Sequence, residues 1–321
     1  MHLPLVIVRG GLFLQRAGLG GRMPLPLARR YLDRLGAGLP APAGTTSRWT
    51  MLGGRRTLVV SPSGDFSADR AILYFHGGGY TVGTPAAYRS TAGFLARASG
   101  APVYLPDYRL APEDPFPAAR DDALAAYAEL TEPTRRRLVG PSGDGSASDG
   151  ASTERRVVLA GDSAGGGLAV VAARNALDAG LRAPVGLALL SPWVDVGERI
   201  GEPSVAGVPV RDRDRIVRAS WGDFNARSYT AGVDAADPDI SPINAELAGL
   251  PPMLIHVGTE ELLLGQVRHF AERAAAAGVD VELTEYDWMW HVAHLQAGLL
   301  GAAAEAADEL GRFAGARLSP G

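Results

Sequence analysis

No cysteine occurs in the 321-residue chain, and each of its 31 basic residues is an arginine. The first absence excludes disulfides, a thiolate nucleophile and cysteine-ligated zinc, and leaves the redox compartment unreadable. The second removes every mechanism that runs through a lysine amine, Schiff bases and Walker-type phosphate loops included. With the abundance of alanine and glycine, an all-arginine basic set reads as a habit of genome composition. Long apolar runs are missing too, since none approaches the ~18 residues a membrane helix needs. Residues 1 to 32 hold five arginines and no acid. The run Leu3–Val8 is nevertheless too short for a signal-peptide core, and no small-residue cleavage site follows it. A cytoplasmic protein is expected, with an amphipathic N-terminal segment around Leu25–Leu35. A net charge of −4 and a sequence pI of about 5.9 argue against a general nucleic-acid binder.

What is present suits a large α/β domain or two small ones, because 46% of the residues are hydrophobic and can build a substantial core. Short apolar or β-branched runs predict strands over Arg56–Ser61, Ala71–His76, Pro102–Asp107, Arg156–Gly161, Val185–Ser191, Met253–Gly258 and Val279–Tyr286. Helix-like segments lie between them. Leu263, Val267, Phe270 and Ala274 recur with the period of one buried helical face, and Ser163–Leu177 also reads as a helix. This alternation implies βαβ units and a mostly parallel sheet. Two stretches break the rhythm. Residues 141–153 are rich in Gly, Ser and Asp and read as a flexible surface loop. Residues 195–240 lack strand alternation and read as a lid, with Trp221, Phe224 and Tyr229 in it. The charge run Arg211-Asp212-Arg213-Asp214-Arg215 within it reads as a solvated helix face.

Chemistry concentrates at Gly161-Asp162-Ser163-Ala164-Gly165, directly after the apolar run Val157–Ala160. Gly-x-Ser-x-Gly between a strand and a helix is the pattern of a nucleophile elbow, with glycines where a Cβ would crowd the turn. Alone it could be a Gly-rich turn. A serine hydroxyl also needs a base to become nucleophilic near neutral pH. His291 follows the last predicted strand, where a loop carries it over the sheet edge, and His294, three residues on, is its rival. His256 sits inside a predicted strand as a core residue, while His269 and His2 read as structural or solvated. A carboxylate on the loop after Met253–Gly258 would orient the imidazole, and both Glu260 and Glu261 qualify. The order serine, acid, histidine is that of α/β-hydrolases. The Gly-rich run His76-Gly77-Gly78-Gly79-Tyr80 follows a strand and offers unobstructed backbone N–H groups to a developing oxyanion.

These motifs resemble the hormone-sensitive-lipase-like family of bacterial esterases, over roughly residues 70 to 300. Asp107-Tyr108-Arg109-Leu110-Ala111-Pro112-Glu113, then Pro115-Phe116-Pro117-Ala118-Ala119, Ser191-Pro192-Trp193-Val194-Asp195 and Ser241-Pro242 extend the likeness. The resemblance implies an α/β-hydrolase fold: a mostly parallel sheet flanked by helices, under a helical cap. It divides the chain into an N-terminal cap segment over 1–50 and a catalytic domain over 51–321, with a cap insertion at about 195–235. It makes Ser163 the nucleophile, His291 the base and Glu261 the acid. The amides of Gly78, Gly79 and Ala164 become the oxyanion donors, and His76 shapes its loop without relaying protons. Two departures stand out. Gln266 occupies a place where the family often has aspartate, and the 141–153 connection is longer than usual.

The activity so implied is hydrolysis of short- to medium-chain carboxylic esters or acetylated small molecules, with no cofactor and no metal. An amide or lactone deacylase uses the same triad. A non-hydrolytic binding protein or a synthase on the same fold remains a different class of reading. A complete serine, acid and histidine set favours the enzyme. The partners expected are a small-molecule ester, no nucleic acid and no membrane span, and the oligomeric state stays open, a homodimer included.

Overall fold

The computed structural model of the protein describes residues 2–19, 23–132, 155–197 and 214–319. Two helices, α1 (Leu5–Leu19) and α2 (Leu25–Ala37), precede a hairpin of β1 (Thr45–Leu52) and β2 (Arg55–Pro62). The chain then alternates: β3 (Arg70–Phe75), α3 (Arg89–Ser99), β4 (Val103–Pro106), α4 (Ala118–Thr131), β5 (Arg156–Asp162), α5 (Ala164–Asp178) and β6 (Gly186–Leu190). After α6 (Ala219–Thr230) come β7 (Met253–Gly258), α7 (Leu264–Ala276), β8 (Val281–Tyr286) and α8 (Gly301–Leu318).

The strands form one eight-stranded sheet in the order β1-β2-β4-β3-β5-β6-β7-β8. β1 and β2 are antiparallel to their neighbours, and every pairing from β4 to β8 is parallel. Successive side chains alternate across a strand, so β5 feeds both faces of the sheet. Val157 and Leu159 join the core beneath α4, α5 and α7, whereas Val158 and Ala160 join the core beneath α3 and α8. Covering both faces is what lets parallel strands read as unbroken apolar runs. The helical periodicity of Leu263, Val267, Phe270 and Ala274 is realised in α7 and its N-terminal flank, all four buried.

One strand is not among those predicted. β1 lies mostly inside the 1–50 segment assigned to the cap, yet pairs along its whole length with β2. Its residues are mostly exposed, so no apolar alternation announces it. The informative signal is the turn, since Gly53 and Gly54 both have positive φ (57° and 71°), as a two-residue hairpin turn of this hand requires. The 141–153 loop lies outside the described residues.

Parallel strands direct their following loops to one end of the sheet. There the loops after β3, β5, β6, β7 and β8 meet, and α1, α2 and α6 border the same region.

Candidate active site

Ser163 sits between the end of β5 and the start of α5 with φ 50° and ψ −124°. This conformation costs a non-glycine residue about 1–3 kcal/mol and persists because its surroundings fix it. Its N–H donates to the Leu190 carbonyl at 2.9 Å, and its own carbonyl accepts from Trp193 N–H at 2.8 Å. The flanking glycines are sterically necessary. A Cβ on Gly161 would strike the Gly165 carbonyl, and one on Gly165 would strike the Phe75 and His76 carbonyls.

His291, on the loop after β8, places Nε2 2.9 Å from Ser163 Oγ and Nδ1 2.7 Å from Glu261 Oε2. Glu261 is buried on the loop after β7. Its other oxygen, Oε1, accepts from Ser191 Oγ–H at 2.7 Å and from Gly258 N–H at 2.6 Å. Glu260 points elsewhere, towards Arg215 at 3.4 Å and Arg9 at 3.8 Å. Burial pulls the His291 pKa down, but the hydrogen bond and charge of Glu261, with Asp214 and Asp162 behind it, outweigh that. The net result is a pKa above the ordinary 6.5. Such an imidazole can accept a hydroxyl proton and carry it as a stabilised imidazolium.

His294 is not in this cluster. It is fully buried and bonds through Nε2 to Nδ1 of the equally buried His256, at 3.0 Å. His256 thus has a specific partner within the core.

The Gly-rich loop after β3 is held from below. Asp162 Oδ1 accepts from Gly77 N–H and Tyr74 Oη–H, both at 2.8 Å, and Tyr88 Oη–H reaches Oδ2 at 3.3 Å. Burial lifts the Asp162 carboxyl to about 6 against the pull of those donors. Tyr108 Oη–H donates to the His76 carbonyl at 2.6 Å and stacks on its ring at 4.4 Å. Burial lowers His76 to about 4, so it stays neutral as part of the scaffold. Gly78 and Gly79 both have positive φ, and a Cβ on Gly79 would collide with the Asn225 side chain. Among the described residues no protein acceptor takes the N–H of Gly78, Gly79 or Ala164. Ala164 opens α5, where a first-turn N–H has no intrahelical partner.

Several residues named in the sequence have supporting roles that no motif states. Gln266 accepts with Oε1 from the N–H groups of Val194 and Asp195, each at 3.0 Å, and thereby fixes the loop after β6. Arg109 grips Asp122 and Arg29 grips Glu113, which gives the 107–113 stretch structural work. Asp214 corrects the reading of its charge run as a solvated face. It is buried, and Oδ1 accepts from Ile216 and Val217 N–H while Oδ2 accepts from Leu262 N–H. Three backbone donors make burial of that carboxylate tolerable. Arg211 to Arg213 lie outside the described residues.

Above Ser163 and His291 opens a cavity of about 370 Å³, walled by α1, α2, α6 and the 216–217 segment. Leu12, Leu19, Val217, Trp221, Leu263 and Leu295 make much of its lining apolar. Among the described residues no cluster could hold a metal ion, and no helix is long and apolar enough to cross a membrane.

A sheet of this topology with these loops gathered at one end defines an α/β-hydrolase, and comparison with known proteins agrees. The family described as alpha/beta hydrolase fold matches residues 72–295. An acetyl-hydrolase of Streptomyces hygroscopicus is 37% identical over 244 residues, covering 76% of this chain and 75% of that protein. The carboxylesterase NlhH of Mycobacterium tuberculosis is 35% identical over 243 residues, covering 73% and 70%. A crystal structure of a hormone-sensitive lipase from a metagenome library superposes with a TM-score of 0.83 at 36% identity, over 99% of this chain and 100% of that one. The chain belongs to the α/β-hydrolase family, among the hormone-sensitive-lipase-like bacterial esterases. It is a hydrolase of the carboxylesterase type, acting on esters.

Proposed function

We propose that the chain cleaves carboxylic esters through an acyl-enzyme on Ser163. The observation that carries this reading is the continuous line Ser163 Oγ, His291 Nε2, His291 Nδ1, Glu261 Oε2, with contacts of 2.9 and 2.7 Å at the floor of the cavity. Ser163 Oγ attacks the ester carbonyl as His291 Nε2 takes the hydroxyl proton. The oxyanion forms against the N–H groups of Gly78, Gly79 and Ala164. Collapse expels the alcohol, which leaves with the proton from His291. A water then gives one proton to His291 as its oxygen attacks the acyl carbon, and collapse breaks the acyl–serine bond as His291 returns that proton to Ser163 Oγ and the acid departs. Glu261 holds the imidazole in place and stabilises the imidazolium that forms.

The substrate class is short- to medium-chain acyl esters or acetylated small molecules. An apolar cavity of about 370 Å³ suits one small or medium ester, and an acetyl-hydrolase and a carboxylesterase are among the relatives. Helices α1 and α2, with the 214–230 segment, serve as the cap. A panel of p-nitrophenyl esters from acetyl to palmitoyl, with N-acetyl amides and lactones alongside, tests this. Turnover should fall with chain length, and a higher kcat/KM on the amides or lactones would overturn the ester assignment. Ser163→Ala should lower kcat by about 10⁴-fold or more, because the triad acts as a unit. An organophosphate adduct found on any residue other than Ser163 would refute the nucleophile.

A further inference from the structure

Helix α1 presents an apolar face that nothing in the described molecule covers. Val6 is 75% exposed, Phe13 67%, Ile7 56% and Leu14 42%, and Leu27 on α2 adds 52%. Positions 6, 7, 13 and 14, with Gly10 and Ala17 between and beyond them, share one side of the helix. Val8 and Leu12 on the other side are buried in the core. Contiguous exposed apolar surface of this kind marks an interaction site. The same helix walls the cavity, because Ile7 and Leu14 line it while remaining exposed. One apolar surface therefore runs from the outside of α1 over the rim towards Ser163.

The charge on the two helices that carry this face is predominantly basic. Helices α1 and α2 carry Arg9, Arg16, Arg29, Arg30 and Arg34 against Asp33 alone, on a chain whose net charge is −4. Arg9 and Arg29 are engaged inward, on the Trp288 carbonyl and Glu113. Among the described residues Arg16, Arg30 and Arg34 make no ion pair. Arg9 and Arg16 follow Val6 and Phe13 by three residues and so border the apolar stripe.

We propose that this face lays α1 flat on an anionic lipid surface, so that esters held in that surface pass over the Ile7–Leu14 rim to the catalytic serine. The proposal rests on the ester-hydrolase reading for its consequence, though not for the docking itself. Helices with an apolar face and basic flanks bind interfaces in this way without spanning them. A second copy on the same face is disfavoured, because a two-fold contact would bring the basic helices of both copies together.

Flotation with phosphatidylcholine vesicles, with and without phosphatidylglycerol, tests the docking in the whole 321-residue chain. The probe variant is Val6→Ser/Phe13→Ser, since neither residue lines the cavity. The wild type should float with the anionic vesicles and release in high salt. The variant should lose about tenfold or more in partitioning, while its turnover of dissolved p-nitrophenyl acetate stays at the wild-type level. No partitioning of the wild type, or equal partitioning of the variant, would overturn the proposal. So would light scattering that finds a wild-type dimer and a monomeric variant. If the wild type binds vesicles but fails on p-nitrophenyl acetate, the ester reading falls and the docking stands.

Discussion

Glu260 and Glu261 are the same residue type one position apart, and the backbone after β7 sends them to different tasks. Glu261 receives three donors, from His291, Ser191 and Gly258, so both of its oxygens are committed. In Glu261→Gln the amide must turn its NH₂ either on the His291 N–H or on the Ser191 and Gly258 donors. The charge that holds the imidazolium is lost as well. We expect kcat to fall by about 10³ to 10⁴-fold and Glu260→Gln to stay near wild type. A dead Glu260→Gln with an active Glu261→Gln would reverse the assignment. The same carboxylate sets the pH dependence. His291 titrates above the ordinary 6.5, so the acid limb of kcat/KM should lie above that pH and shift downward in Glu261→Gln. Position after the last strand leaves His291 and His294 as candidates for the base, and the family resemblance selects His291. Packing gives the physical reason, because the ring of His294 is engaged by His256, 38 positions away in the chain.

At the scale of elements, legibility followed periodicity. The seven predicted strands and the buried stripe of α7 are readable because each element carries its own local pattern, a short apolar or β-branched run in the strands and a helical period in α7. β1 carries none, as an edge strand whose residues are mostly solvated, and its evidence is confined to the Gly53-Gly54 turn. The two glycines make that claim testable. At Gly54 a Cβ meets open space, so Gly54→Ala should cost only the left-handed backbone penalty, about 1 kcal/mol. At Gly53 the Cβ would lie 2.7 Å from Ala126 Cα, against α4 backbone that cannot yield as a side chain would. Gly53→Ala should cost about 3 kcal/mol in urea denaturation, and equal losses at both positions would show that the hairpin does not pack against α4 in this way. Contacts such as Asp162 to Gly77 or Asp214 to Leu262 join segments far apart in the chain, and no local pattern announces them. Asp214 was misread for that reason: charges alternating in sequence describe a solvated surface until backbone donors from another loop surround one of them.

Across the whole molecule, the loop that carries His291 rests on a buried pair of rings, and this ties acid stability to the site. His256 and His294 share one hydrogen bond of 3.0 Å, with Tyr286 packed edge-on to His256 and Glu309 Oε2 3.8 Å from its Nε2. Burial lowers His256 to about 3, and burial together with the charge of His256 holds His294 well below 6.5. Both folded-state values lie beneath the unfolded value of 6.5, so the unfolded chain takes up protons first as the pH falls. The stability contributed by the neutral pair is therefore complete above pH 6.5. It declines as the pH drops towards about 3, by up to about 1.4 kcal/mol per pH unit for each ring. Asp162 acts in the opposite sense. Its folded value of about 6 exceeds the ordinary 3.8, so the folded state gains relative stability as the pH falls through that window. Wild-type stability alone mixes these effects, and the measurement that isolates the pair is a difference. Replacing both rings in His256→Leu/His294→Leu removes the two titrations from the core and keeps side chains of similar bulk. Between pH 7 and pH 4.5 the urea midpoint should fall further in the wild type than in the double variant, and the gap should widen as the pH drops. Parallel decline in the two proteins would mean that the rings titrate alike in the folded and unfolded states, and the buried neutral pair would have to be abandoned.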